Sequence, residues 1–145
     1  MITKPFLIVL LFFSFCKTKS NDSSEIKVIQ EITKDEFNNK PTTIIIPSAG
    51  CTGCIDEMVL YTKQNFHKMK EVSIIFTSIG DMKLLRLRIG DSILNAKNVY
   101  IDTFNTILNT KLSSSYPLLV QNDKGAIKVT DKITSASPEL LKIID

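Results

Sequence analysis

The sequence predicts an α/β domain with a mixed central sheet and helices on both faces. Three observations predict it. Thr42 to Ile46 (TTIII) and Val72 to Ile79 (VSIIFTSI) are near-continuous apolar runs, the pattern of strands buried on both sides. An amphipathic stretch from about Thr52 to Met69 separates them, so a helical crossover joins two parallel strands. Late in the chain, Leu118 to Val120 and Ala126 to Val129 flank the turn Asn122-Asp123-Lys124-Gly125, which adds antiparallel edge strands.

In chain order, Ile26 to Ile32 (IKVIQEI) is read as a half-buried strand by its alternation. Thr33-Lys34-Asp35-Glu36 has capping-box spacing and predicts a helical turn through Phe37, ended by Pro41. The β-branched run at Thr42 to Ile46 is the central strand, broken by Pro47, Ser48, Ala49 and Gly50. In the long helix, Ile55, Met58, Val59, Thr62, Phe66 and Met69 share one face. After the second strand, Gly80-Asp81 is a turn whose aspartate caps a helix over Met82 to Ile89, with Gly90 at its end. Asn98 to Ile101 reads as a short strand and Asn105 to Leu112 as a weak helix. Pro117 opens the hairpin. Ser137-Pro138-Glu139 supplies an N-cap, a first-turn proline and an acidic first turn for a final helix over Leu140 to Ile144.

The chain has 145 residues, a net charge of +3, 43% hydrophobic and 23% charged residues. This composition excludes wholesale disorder and a large multidomain enzyme. The positive excess is small and scattered, so no nucleic-acid partner is expected. Three cysteines are too few for a small disulfide scaffold.

The first cysteine carries an address. Lys4 precedes the apolar run Phe6 to Phe15, half the roughly 20 residues a spanning helix needs. The run fits the h-region of a secretory signal. Cys16 follows directly, then a polar stretch. This arrangement resembles the lipobox of bacterial lipoproteins, although Phe13 and Phe15 are bulkier than that motif favours. The resemblance implies a signal peptide over 1–15, a lipidated Cys16, a flexible tether over 16–25 and a folded domain over 26–145. The expected location is the cell envelope, lipid-anchored and outside the cytoplasm, facing the periplasm or the surface.

The other two cysteines carry the chemistry. Cys51-Thr52-Gly53-Cys54 sits between a buried strand and a long helix. This places Cys51 at a helix N-terminus, where unpaired amides and the helix dipole stabilise a thiolate and lower its pKa. The thiolate, not the thiol, attacks disulfides. Cys54, in the first turn, is close enough to resolve the mixed disulfide. Glu57 lies three residues on, on the same face. Buried beside the second sulfur, its carboxylate would have a raised pKa and would accept the Cys54 proton.

These residues resemble the thioredoxin-like superfamily, and within it the extracytoplasmic thiol–disulfide oxidoreductases of the TlpA/ResA type. Members carry C-x-x-C followed after two residues by Glu, as in Cys51-Thr-Gly-Cys54-Ile-Asp-Glu57. Asp102, Ile107-Leu108, Tyr116-Pro117, Leu118 to Val120 and Asp123-Lys-Gly125 follow the branch's order of aspartate, short helix, cis-proline, strand and D-x-G turn. The resemblance covers about Ile26 to Asp145. It implies a thioredoxin-like fold and a redox-active Cys51–Cys54 disulfide with no dissociable cofactor. It also implies a cis Pro117 beside Tyr116 that shapes a substrate groove, protein thiols or disulfides as substrates, and a membrane electron donor. The family's usual Trp before the first cysteine is replaced by Gly50, and the chain has no Trp. The Thr52-Gly53 dipeptide lacks an imidazolium, which argues against a strongly oxidising potential and for a reductant.

Other chemistry fits less well. Zinc needs four ligands, but Cys51, Cys54 and the single His67 supply three; no metal is expected. A c-type haem needs His where Ile55 stands. A copper chaperone of the Sco type would have wider cysteine spacing and a distant histidine. A peroxiredoxin would have Thr or Ser where Cys51 stands and an arginine nearby, whereas Arg86 and Arg88 lie on another helix. The alternative from another class is a non-catalytic lipoprotein that uses the same fold as a binding module, with a structural disulfide.

Overall fold

The computed structural model describes residues 22–34, 37, 40–123 and 126–144. The stretch read as a signal peptide over 1–15, the cysteine read as lipidated, Cys16, and residues 16–21 of the expected tether lie outside them, as do Lys124 and Gly125 of the expected hairpin turn.

A helix, α1 (Asp22–Thr33), opens the domain, and β1 (Thr42–Pro47) follows. Next come α2 (Thr52–Asn65), extended by a 3-10 turn over Phe66–Lys68, and β2 (Val72–Thr77). Helices α3 (Met82–Ile89) and α4 (Asp91–Leu94) lead to β3 (Val99–Ile101) and a 3-10 turn at Thr106–Asn109. The hairpin β4 (Leu118–Asp123) and β5 (Ala126–Thr130) precedes α5 (Pro138–Ile144). The five strands form one open mixed sheet in the order β3-β2-β1-β4-β5. β1 pairs parallel to β2, with Ile44 opposite Ile74, and antiparallel to β4, with Ile44 opposite Leu119. The α/β class, the mixed sheet and helices on both faces are as expected, and the architecture is compatible with a thioredoxin-like fold.

Every residue of β1 and β2 is buried, which their apolar runs require. Strand alternation then divides the apolar side chains into two cores. Ile44, Ile46, Ile74, Phe76 and Leu119 face α2, α3 and α5, packing against Ile55, Met58, Leu85, Ile89 and Leu140. Ile45, Ile75, Leu118 and Val120 face the other way, against Ile29, Phe37, Ile107 and Leu112.

That second core corrects the reading of Ile26 to Ile32, which is helix, not strand. The alternation fails at the adjacent Val28 and Ile29. Ile26, Val28 and Ile32 pack at the margin of the second core, around a fully buried Ile29. One helical face brings them there together; a strand would have sent Val28 and Ile29 to opposite sides. The sheet's lower face needs this cover, and tertiary burial outweighs local alternation. Helix α1 also takes in Asp22 to Glu25, the end of the stretch read as tether. Thr33 accordingly ends a helix and does not begin one. Its hydroxyl donates to the Ile29 carbonyl at 2.8 Å and accepts the Phe37 amide at 3.3 Å.

Downstream, the caps match the sequence. The Asp81 carboxylate accepts the Lys83 and Leu84 amides at 2.7 and 3.3 Å, and Gly90 closes α3 at φ 93°. The weak helix at Asn105 to Leu112 shrinks to a 3-10 turn because buried Asp102 organises it. That carboxylate accepts the Thr77 hydroxyl at 2.8 Å and the Thr106 and Ile107 amides at 2.8 and 3.0 Å.

Candidate redox site

β1 delivers the chain to the carboxyl end of the sheet, and α2 starts there. Cys51 is the N-cap residue of α2, with extended backbone at φ −67° and ψ 93°. Its carbonyl accepts the Ile55 amide at 2.9 Å, closing the first helical turn. The amides of that turn have no intrahelical acceptor, so the helix presents donors and the positive end of its dipole to whatever caps it. Cys51 and Cys54 are joined by a disulfide, their Cα atoms 5.4 Å apart, and both are half-buried. The pair therefore sits where the C-x-x-C spacing placed it.

Gly50 stands in a position that excludes any side chain. Its φ is +134°, and a Cβ built there would lie 2.4 Å from the Ser115 carbonyl oxygen and 2.7 Å from the Ser115 Cα. The segment before Pro117 crosses directly over residue 50, leaving no room for a side chain. The same Ser115 carbonyl accepts the Cys51 amide at 2.8 Å. A three-serine run, Ser113 to Ser115, thus fixes the backbone of the first cysteine. It was legible in sequence only as loop, because nothing in its composition says which backbone it crosses.

Two expectations need correction. Among the described residues every peptide bond is trans, Tyr116–Pro117 included. A trans X–Pro bond is favoured by about 0.5–1 kcal/mol unless contacts reverse the preference. Here the contacts lock a trans loop: Ser114 Oγ accepts the Tyr116 amide at 3.0 Å, and the buried Pro117 offers its carbonyl to the Ile133 amide at 3.1 Å. The half-buried Tyr116 ring lies 5.0 Å below the Lys132 ammonium.

Glu57 is the second correction. It is exposed, not buried, and its pKa is lowered, not raised. The main cause is the Ser135 hydroxyl, which donates to Oε1 at 2.6 Å; the Ser135 amide adds a second bond at 2.9 Å. Glu57 thereby ties α2 to the turn before α5. Tyr61 adds a second tie between the same elements, donating to the Leu140 carbonyl at 3.4 Å.

Beside the cysteines, a cleft of about 500 Å³ opens at the carboxyl ends of β1 and β2. It is lined by Ala49 and Gly50, Ser78 to Gly80, Asn105, Leu108 and the serine run. The remaining candidates lie elsewhere. His67 is exposed on the 3-10 turn after α2, and Arg86 and Arg88 pair with Asp91 and Asp56. Among the described residues, no cluster of three metal-ligating side chains occurs, and no helix is long and apolar enough to cross a membrane.

No protein-family model matches this chain, and no curated protein shows significant sequence similarity to it.

Proposed function

We propose that the chain is a membrane-tethered, extracytoplasmic thiol–disulfide oxidoreductase working through Cys51 and Cys54. The observation that supports it most is a half-exposed disulfide whose first cysteine caps a long helix. In the reduced form, the amides and dipole of α2 favour a Cys51 thiolate. That thiolate attacks a substrate disulfide, forms a mixed disulfide and releases one substrate sulfur as thiolate. Cys54 then attacks the Cys51 sulfur, closes the internal disulfide and releases the second substrate sulfur. Two electrons pass from the pair to the substrate, and a membrane donor returns them. Glu57, held as an anion by Ser135, is a poor proton acceptor in this scheme, so Cys54 loses its proton to solvent. Tyr116 and Pro117 end the serine loop beside the pair, and Pro117 fixes that end through the Ile133 amide. Cys16 is the proposed anchor.

Trapping tests the reading in the native envelope. Cys54→Ser should accumulate mixed disulfides through Cys51, and Cys51→Ser should accumulate none. The potential separates catalysis from a structural disulfide in a binding module. A catalytic pair equilibrates between about −270 and −120 mV, whereas structural disulfides lie below about −300 mV. Labelled fatty acid should attach to the wild type and not to Cys16→Ser.

A further inference from the structure

We propose that the cleft beside Cys51 binds the part of the substrate adjoining the exchanged sulfur, and that it selects uncharged chains bearing hydroxyl or amide groups. The proposal rests on the thiol–disulfide reading and names its substrate chemistry. It starts from position. Ala49 and Gly50 line the cleft and lead directly into Cys51, and Ser115, also in the lining, holds the Cys51 amide. A volume of about 500 Å³ suits a short chain of a few heavy-atom groups.

The lining then sets the chemistry. It contains no acid and no base. In the adjoining hollow, which shares Ala49, Ser78 and Gly80, the charged residues are Asp81 and Arg88. Asp81 accepts the α3 amides through Oδ1, and Arg88 pairs with Asp56; neither residue lines the cleft itself. A bound chain that covers the lining would strip water from any charge it carried there, and the lining itself offers no counter-charge; the Asp131 carboxylate bonded to its edge is engaged by the Ser114 hydroxyl at 3.2 Å and the Lys132 amide at 2.8 Å.

Polar, neutral partners are instead available. Among the described residues, nothing pairs with the hydroxyls of Ser78, Ser113 or Ser115. Asn105 accepts the Ile79 amide through Oδ1 at 2.9 Å, which orients its Nδ2 group as a free donor. Ile79 and Leu108 give apolar contact for the intervening carbons. A bound chain that covers these exposed or half-exposed groups without pairing them leaves them cut off from water, and that cost gives the site its discrimination.

The test uses the full-length protein, reduced, at neutral pH in about 0.15 M salt to screen distant charges. Its rate of oxidation is measured with bis(2-hydroxyethyl) disulfide, dithiodiglycolate and cystamine, which are neutral, anionic and cationic. Each rate is divided by that of free dithiothreitol with the same probe, removing intrinsic reactivity. The neutral hydroxyl probe should lead both charged ones by about tenfold. Equal ratios, or a lead by either charged probe, would overturn the proposal. Failure to react with every probe would instead overturn the thiol–disulfide reading on which it rests. A parallel set of cystine peptides, flanked by Ser and Asn, by Glu or by Lys, identifies the source. Greater acceleration of the Ser/Asn peptide than of the small disulfide assigns the cleft to polypeptide; the reverse assigns it to a low-molecular-weight thiol. Gly80→Leu supplies an internal check, since Gly80 lines the cleft and a Cβ there meets nothing within 4 Å, which leaves room for a longer side chain beside a bound substrate. The neutral probe should lose its lead in that variant; retention of the full lead would place selection elsewhere and refute the assignment.

Discussion

Replacing Gly50 with alanine adds one methyl group, yet the structure assigns it a large cost. Two terms contribute. At φ +134° an L-residue is held in a region costing of order 1–3 kcal/mol. The new Cβ would also lie 2.4 Å from the Ser115 carbonyl oxygen, so the loop must move. Moving it breaks the Cys51 N–H to Ser115 hydrogen bond, worth about 0.5–1.5 kcal/mol. Together these predict a loss of about 1.5–4.5 kcal/mol. Gly53→Ala, only three residues on, is the control. Gly53 lies in the first turn of α2 and a Cβ there meets nothing within 4 Å. Alanine is the better helix former, so this variant should gain about 0.5–1 kcal/mol. The assay is urea unfolding of the oxidised proteins, with midpoints compared at constant slope. A Gly50→Ala variant within about 0.5 kcal/mol of wild type, the ordinary range for surface substitutions, would refute the loop-over-glycine geometry.

Three further outcomes are expected. Asp102→Ala removes the acceptor of the Thr77 hydroxyl and of two backbone amides, and should cost about 2–5 kcal/mol in the same unfolding assay. Glu57 has a lowered pKa, so its contribution is complete above the ordinary glutamate pKa of about 4.3 and disappears as pH falls through the lower folded value. Wild type should therefore exceed Glu57→Gln in melting temperature at pH 7, and the gap should shrink as the pH falls below about 4.3; a gap that widens on acidification contradicts the Ser135 contact. In the reduced protein, Cys51 should alkylate with an apparent pKa below the free-cysteine value of about 8.5, and faster than Cys54 at neutral pH, as followed by mass spectrometry.

Much of this protein follows from local chemistry. The buried β-branched runs, the face of α2, the Asp81 cap and the Gly90 stop are short-range signals, and each determines its element without reference to the rest of the chain. The Cys51-x-x-Cys54 pair is equally local, since helix geometry alone brings residues three apart together. Long-range contacts decided the remainder. The segment from Ile26 to Ile32 supports either a strand or a helix by pattern, and the uncovered face of the sheet selects the helix. Glu57 is aimed by Ser135, 78 residues downstream, which reversed both its expected burial and its expected pKa. Gly50 had no local need for glycine until Ser115 crossed it, and the trans bond before Pro117 follows from the same loop. The physical reason is common to all of these. Backbone propensity and side-chain periodicity are written within a few neighbouring residues. Exposure, hydrogen-bond partners and steric room are properties of what the folded chain brings alongside.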